Sequence, residues 1–215
     1  MKSADIRAIV AEMYDIYSGL KQSDSKAMFR AVDRHDRWWL EEAPLVIARE
    51  LSFKAKRFSG MDSADTVVAV ARKLASEART KLSAPITAWV TGNYDAFYRA
   101  GVRLAALNGK AEGKRVRQVL DKADANSIEL QVRQELDVWK GHWSKHERQV
   151  ERELVGFVLA GGTIDQFLGR MTAPSGHIVA FPYGNSRQSW YELIRKMVTV
   201  RGRQVASVAQ QHRLV

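Results

Sequence analysis

The sequence predicts an all-α protein: long amphipathic helices in an elongated bundle, with at most one short strand near residues 177–181. Three observations carry this expectation. Only four prolines interrupt 215 residues, and proline is the residue that most reliably breaks a helix interior. Apolar residues recur at steps of three and four, which is the period of a helix face and not of a strand. Capping residues and glycines stand where those periodic runs begin and end.

The elements follow in order. Ser3 is placed to cap a first helix with Ile6, Ile9, Val10, Met13, Tyr17 and Leu20 on one side. After the polar break "KQSDSK", a helical run starts at about Ser25 and is interrupted near Pro44, because proline disfavours helix at the residue before it. The run resumes through "LVIARELSFKAKRF" and stops at Gly60. Ser63 caps a third unit, "SADTVVAVARKLASEARTKL", and Pro85 fits the first turn of a fourth, which ends at Asn108-Gly109.

The stretch "NGKAEGKRVRQVLDKADAN" reads as a loop. It suggests an N-terminal helical region (1–108), a basic linker (109–124) and a C-terminal long-helix region (125–215) with a basic terminal helix. The strongest helical pattern lies beyond the linker. Ile128, Val132, Leu136, Trp139, Trp143, His146, Val150, Leu154 and Val158 form one apolar stripe. A helix this long needs partner helices along its length, from this chain or another. Gly161-Gly162 is placed to end it, and Thr163 with Gln166 has the spacing of a capping box for a short helix. His177 to Phe181 is the candidate strand. Asn185 or Ser186 then caps a last helix whose apolar face is Trp190, Ile194, Met197, Val205 and Val208.

Composition narrows the function classes. A hydrophobic share of 46% with 27% charged residues describes a folded globular chain. Cysteine is absent, which excludes disulfides and cysteine-ligated metal sites. The N-terminus lacks the apolar core of a secretory signal, and no apolar run reaches the roughly 18 residues of a membrane span. A soluble intracellular product without membrane contact is expected. The net charge of +10 is unevenly spread: residues 53–122 carry 14 basic and 6 acidic groups, and residues 187–215 carry 6 and 1. Two such blocks attract phosphate backbones or an acidic protein surface; a solvated basic face is the plainer alternative.

Candidate chemistry is sparse. His142 and His146 stand four apart, as two imidazole ligands on one helix face would. His146 falls on the apolar stripe, however, and no third ligand is spaced nearby, so no metal is assigned. The glycine–lysine steps at 109–110 and 113–114 lack the leading glycine and the hydroxyl residue of a phosphate loop. Glu147, Glu151 and Glu153 read as solvated ion-pair partners. No nucleophile, base and orienter occur in a recognisable setting. No catalytic residue, cofactor or enzyme activity is expected.

Two groups remain as binding candidates. The cations Lys110, Lys114, Arg115, Arg117 and Lys122 lie in or beside a glycine-containing loop, which suits phosphate contact without base readout; a solvated loop and an acidic protein partner stay open. The tryptophans, Trp139, Trp143 and Trp190 among them, occur in amphipathic helices. Core packing is the commonest reason for that placement and subunit interfaces the second, with stacking on single-stranded bases a minor option.

Two stretches carry a family resemblance. "WVTGNYDAFYRAGVRLAALNG" resembles the "A-Y-x-x-G-x-x-x-A" helix of phage minor head (head-morphogenesis) proteins. "VERELVGFVLAGGTIDQFLGRM", followed by "YGNSRQSWYELIRKMVTVRGRQVASVAQQ", is similar to the end of that domain. The resemblance covers about residues 85–211, and departs where Val200 stands in place of the family's glutamate. It implies a structural virion component of low copy number inside the capsid at the portal vertex, contacting portal or other head proteins, copies of itself and packaged DNA. On that reading Trp190, Ile194 and Met197 face a protein groove, as Trp139 and Trp143 would on the long helix, while Arg195, Arg201 and Arg203 face an acidic or nucleic-acid surface. A helical nucleic-acid-binding regulator and a head-to-tail adaptor ring are the alternatives.

Overall fold

A computed structural model describes residues 3–21, 25–51, 53–54, 57–59, 62–171 and 186–214. The fold is all-α, with long helices packed as a bundle: α1 (Ser3–Lys21), α2 (Lys26–Glu41), α3 (Ala43–Glu50), α4 (Ala64–Ala111), α5 (Lys122–Leu159), α6 (Ile164–Met171), α7 (Ser186–Lys196) and α8 (Gly202–Leu214). A π turn, Met197–Arg201, joins α7 to α8. No helix among the described residues is long and apolar enough to cross a membrane. The expected strand at 177–181 lies outside the described residues.

Several boundaries are fixed by the caps that the sequence shows. Ser63 Oγ accepts from the Thr66 N–H at 3.2 Å and starts α4. Thr163 and Gln166 close a reciprocal capping box, with backbone-to-side-chain bonds of 2.9 and 3.1 Å, and start α6. Gly161, at φ +64°, takes the left-handed position after α5. The Gly162 N–H reaches the Phe157 carbonyl and the Gly161 N–H the Val158 carbonyl, the paired bonds of a Schellman end.

Other expectations need correction. Pro85 does not begin a helix; α4 runs through it for 48 residues. Leu82 and Ile86 on either side are fully buried, and that packing outweighs the roughly 3 kcal/mol intrinsic penalty of an interior proline. The helix expected through residues 51–58 stops at Glu50, and two short strands, β1 (Phe53–Lys54) and β2 (Arg57–Phe58), pair antiparallel instead. Their preference is set by a distant partner. The Phe58 N–H donates to the Gly162 carbonyl at 2.9 Å, and Arg57 bridges to Thr163. The long helix begins at Lys122 rather than beyond 124, because Asp121 and Asp124 cap each other's backbone N–H at 3.0 and 2.8 Å.

The chain does not divide at 109–124. Its two compact units each draw on both sides of that segment: unit 1 takes residues 1–25, 87–137 and 193–215, and unit 2 takes 26–86 and 138–192. The helix lengths explain this. At 1.5 Å per residue α4 has a contour of about 72 Å, more than twice the diameter of a small domain, so one group of neighbours cannot cover it.

In unit 2, the core joins Trp38, Trp39, Val46 and Ile47 to Val67, Leu74, Val150, Leu154 and Phe167. A cluster of rings fills its other side. Trp139 stacks on Trp190 at 5.7 Å, His142 lies 4.7 Å from Trp190, and His146 sits 5.4 Å from Trp39 and 5.9 Å from His35. Burial pulls the His142 pKa from 6.5 down to about 4, with Lys145 acting in the same direction. A folded-state pKa below the unfolded one means that the unfolded chain binds the proton first. The His142 contribution to unit 2 is therefore present above pH 6.5 and lost as pH falls towards 4. His142→Phe should flatten that part of a stability-versus-pH curve measured by urea unfolding.

In unit 1, Ile9 and Ile16 of α1 pack on Leu104 and Leu107 of α4, with Met13 and Ala100 beside them. α8 crosses α4 at very short range. A Cβ built on Gly101 would fall onto the carbonyl oxygen of Ala206 and lie 2.8 Å from its carbonyl carbon. One built on Gly202 would lie 2.9 Å from the Phe97 ring. The π turn is closed by the Gly202 N–H donating to the Met197 carbonyl. Such a turn takes one residue more than an α turn, so the face after it is shifted. Ala209 is fully buried and Val208 only half-buried, which corrects the stripe expected through Val208.

A candidate polyanion-binding cleft

The site candidate in unit 1 arises where α4 ends. Gly113, at φ +75°, lets the chain reverse, with the Lys114 N–H bonded to the Gly109 carbonyl at 2.7 Å and the Gly113 N–H to the Lys110 carbonyl at 3.2 Å. The returning segment then lies close along the helix. A Cβ on Gly109 would stand 2.5 Å from the Val116 Cγ2. Between this segment, α4 and α1 a cleft of about 620 Å³ opens, lined by Arg103, Lys110, Lys114, Arg115 and Gln118, with Glu12 from α1 and an apolar floor of Ala106, Leu107 and Val116.

Four cations thus meet one carboxylate. Arg103 and Glu12 form an exposed ion pair at 3.6 Å, and Lys114 pairs with Glu112 at 2.9 Å. Part of this charge has a structural role, since Lys110 occupies the last turn of α4 and complements the negative end of the helix dipole. Arg103 lies two turns further back, where that dipole has faded. Several cations lining one solvent-open cleft attract anions bearing several charges and give little reward to a single small anion, which water and salt outcompete.

The structure brings together some of the residues expected to meet DNA and not others. Lys110, Lys114 and Arg115 share the cleft. Arg117 pairs with Asp121 at 3.6 Å, outside the cleft lining, and Lys122 is an exposed first residue of α5. Arg195 and Arg203 are exposed. Arg201 is turned inward, where it donates to the buried Glu135. Its charge is thus engaged by a buried carboxylate, unlike the charges of Arg195 and Arg203. Arg103 joins the cleft without having been expected there. Its position seven residues before Lys110 places both on one helix face, and that spacing was the available signal.

The residues expected at a protein interface lie in the interior of the chain. Trp139, Trp190, Ile194 and Met197 are fully buried and Trp143 is 6% exposed. Their apolar surface is covered within the chain.

Two polar clusters in unit 1 were also not foreseen. Tyr94 Oη donates to Glu135 at 2.8 Å on the carboxylate that Arg201 also holds. Tyr98 Oη donates to Asp124 at 2.9 Å, and Arg213 donates to the other oxygen of that carboxylate. His212 Nδ1 is 3.1 Å from the same phenol oxygen; since the phenol proton goes to Asp124, the imidazole is the donor there. Burial, then the neighbouring carboxylates, raise both tyrosines, Tyr98 to about 12. A tyrosine raised this far stays protonated at neutral pH, and the two clusters tie α4 to α5 and the C-terminal segment by hydrogen bonds and ion pairs. Among the described residues no group of three or more histidine, aspartate or glutamate side chains is placed to hold a metal ion. No protein-family model, curated protein or solved structure matches the chain.

Proposed function

We propose that this protein is a structural, non-enzymatic component that holds nucleic acid by its phosphate backbone, without reading sequence, through the cleft at the end of α4. The convergence of Lys110, Lys114 and Arg115 with Arg103 on one cleft carries this reading. Cations that bind phosphates release condensed counterions, and that release drives binding of any sequence. The sequence resemblance supplies the biological setting: a minor head component at the portal vertex inside a phage capsid, where packaged DNA presents phosphate at high density.

Replacing Lys110, Lys114, Arg115 and Arg117 together by glutamine should make the salt dependence of duplex DNA binding shallower. Every phosphate that is no longer neutralised takes about 0.9 off the log–log slope. Lys114 and Arg117 already have acidic partners, so a total change of roughly 2–4 is expected. An unchanged slope removes the cleft from the account. Particle fractionation tests the setting: the chain should accompany purified virions at low copy number, whereas a free-standing regulator would stay in the soluble lysate.

A further inference from the structure

The carboxylate in the cleft has the wrong sign for the proposed ligand. Glu12 stands among Arg103, Lys110, Lys114 and Arg115, and a phosphate entering there meets its repulsion. Its position is not accidental to the fold. Ile9 and Ile16, three residues before it and four after, seat α1 on Leu104 and Leu107, and this brings Glu12 to 3.6 Å from Arg103. Arg103 follows Gly101 and Val102 on the stretch of α4 that is locked beneath α8. The anchored cation and the seated carboxylate are therefore held opposite each other.

We infer that Glu12 is an internal counter-ion for Arg103, a stand-in for ligand phosphate that keeps one cation of the cleft closed to small anions and yields it only to a ligand engaging several cations at once. The inference rests on the polyanion reading of the cleft and names the residue that tunes it. The chemistry is a competition. Both members of the pair are more than half exposed, at 59% and 51% of their side chains, so the pair itself is weak. A phosphodiester chain that has already engaged Lys110, Lys114 and Arg115 supplies a phosphate at high effective concentration and can displace the carboxylate. A lone phosphate has no such advantage. The displaced carboxylate then draws a cation from solution, which offsets the counterion released where phosphate meets Arg103, so this cation adds little net to the salt dependence of binding.

The experiment uses the full-length chain, a duplex of roughly 20 base pairs, long enough to reach every cation of the cleft at 3.4 Å per step, and inorganic phosphate as probes. The variants are Glu12→Gln, Arg103→Gln and the two combined. Glu12→Gln should bind the duplex about three- to tenfold more tightly in low salt, as removal of one like charge near a phosphate predicts. Its salt slope should steepen by up to about 0.9, because no displaced carboxylate is left to take up a cation when phosphate meets Arg103. In the Arg103→Gln background the same substitution should leave the slope unchanged. Measurable phosphate binding should appear only when Glu12 is replaced. If Glu12→Gln binds with wild-type affinity and slope, or steepens the slope equally without Arg103, the counter-ion role is refuted while the polyanion reading stands. If neither the wild type nor Glu12→Gln shows salt-dependent binding, both fail.

Discussion

Asp124→Ala should destabilise unit 1 by about 3–5 kcal/mol, the cost of removing one partner from a buried ion pair. Asp124 is 5% exposed and serves three donors at once: the Tyr98 phenol, the Arg213 guanidinium and the Asp121 backbone N–H. Its loss leaves Arg213, whose side chain is 9% exposed, as a buried charge without its counter-ion, and removes half of the capping box that starts α5. The effect should be far smaller in Asp124→Ala combined with Arg213→Leu, because the stranded cation is then gone; urea unfolding of the two single variants and the double variant measures this directly. A loss below about 1 kcal/mol for Asp124→Ala would mean that Arg213 finds water and that the clasp contributes little.

The second large effect concerns two glycines on one helix. Gly101→Ala should cost about 1–3 kcal/mol or more, the range for forcing a methyl group into a filled space. The obstacle is the backbone of Ala206, which can move only if α8 moves with it. Gly92→Ala is the control. A Cβ there meets nothing within 4 Å, so the usual gain of roughly 0.5–1 kcal/mol for alanine over glycine in a helix should appear. Thermal unfolding should shift in opposite directions for the two. Equal shifts would rule out the close helix crossing as the reason for glycine at position 101.

These sites differ in how far the sequence reveals them. Caps are local, and so Ser63, Thr163 with Gln166, and the glycine pair at 161–162 could be read from spacing alone. The stripe from Trp139 to Val158 was equally legible, because one period persists along the whole run. The β1–β2 pairing was not, since Phe58 and Arg57 take partners at Gly162 and Thr163 that lie far away in the chain. Continuity of α4 through Pro85 was hidden for a related reason, as tertiary burial of Leu82 and Ile86 outweighs a local rule. Of the cleft, the cations on the loop were visible as a charge cluster. Arg103 showed only as a cation seven residues before Lys110 on the same helix face, and Glu12 not at all, because it sits in an otherwise ordinary helix. The clasps are more distant still: Glu135 is shared by residues 41 positions before it and 66 after, a relation without any periodic trace.

The π turn at Met197–Arg201 sets the timing of everything downstream. Successive α-helical residues point about 100° apart, so deleting one residue here, which would let the helix run on regularly, would swing Val205, Ala206 and Ala209 round by that angle and carry Arg213 away from Asp124. The surplus residue acts as a phase adjuster. It lets Ile194 ahead of the turn, Met197 within it and Ala206 behind it all be buried at once, although Ile194 and Ala206 would stand about a third of a turn out of phase on an uninterrupted α-helix.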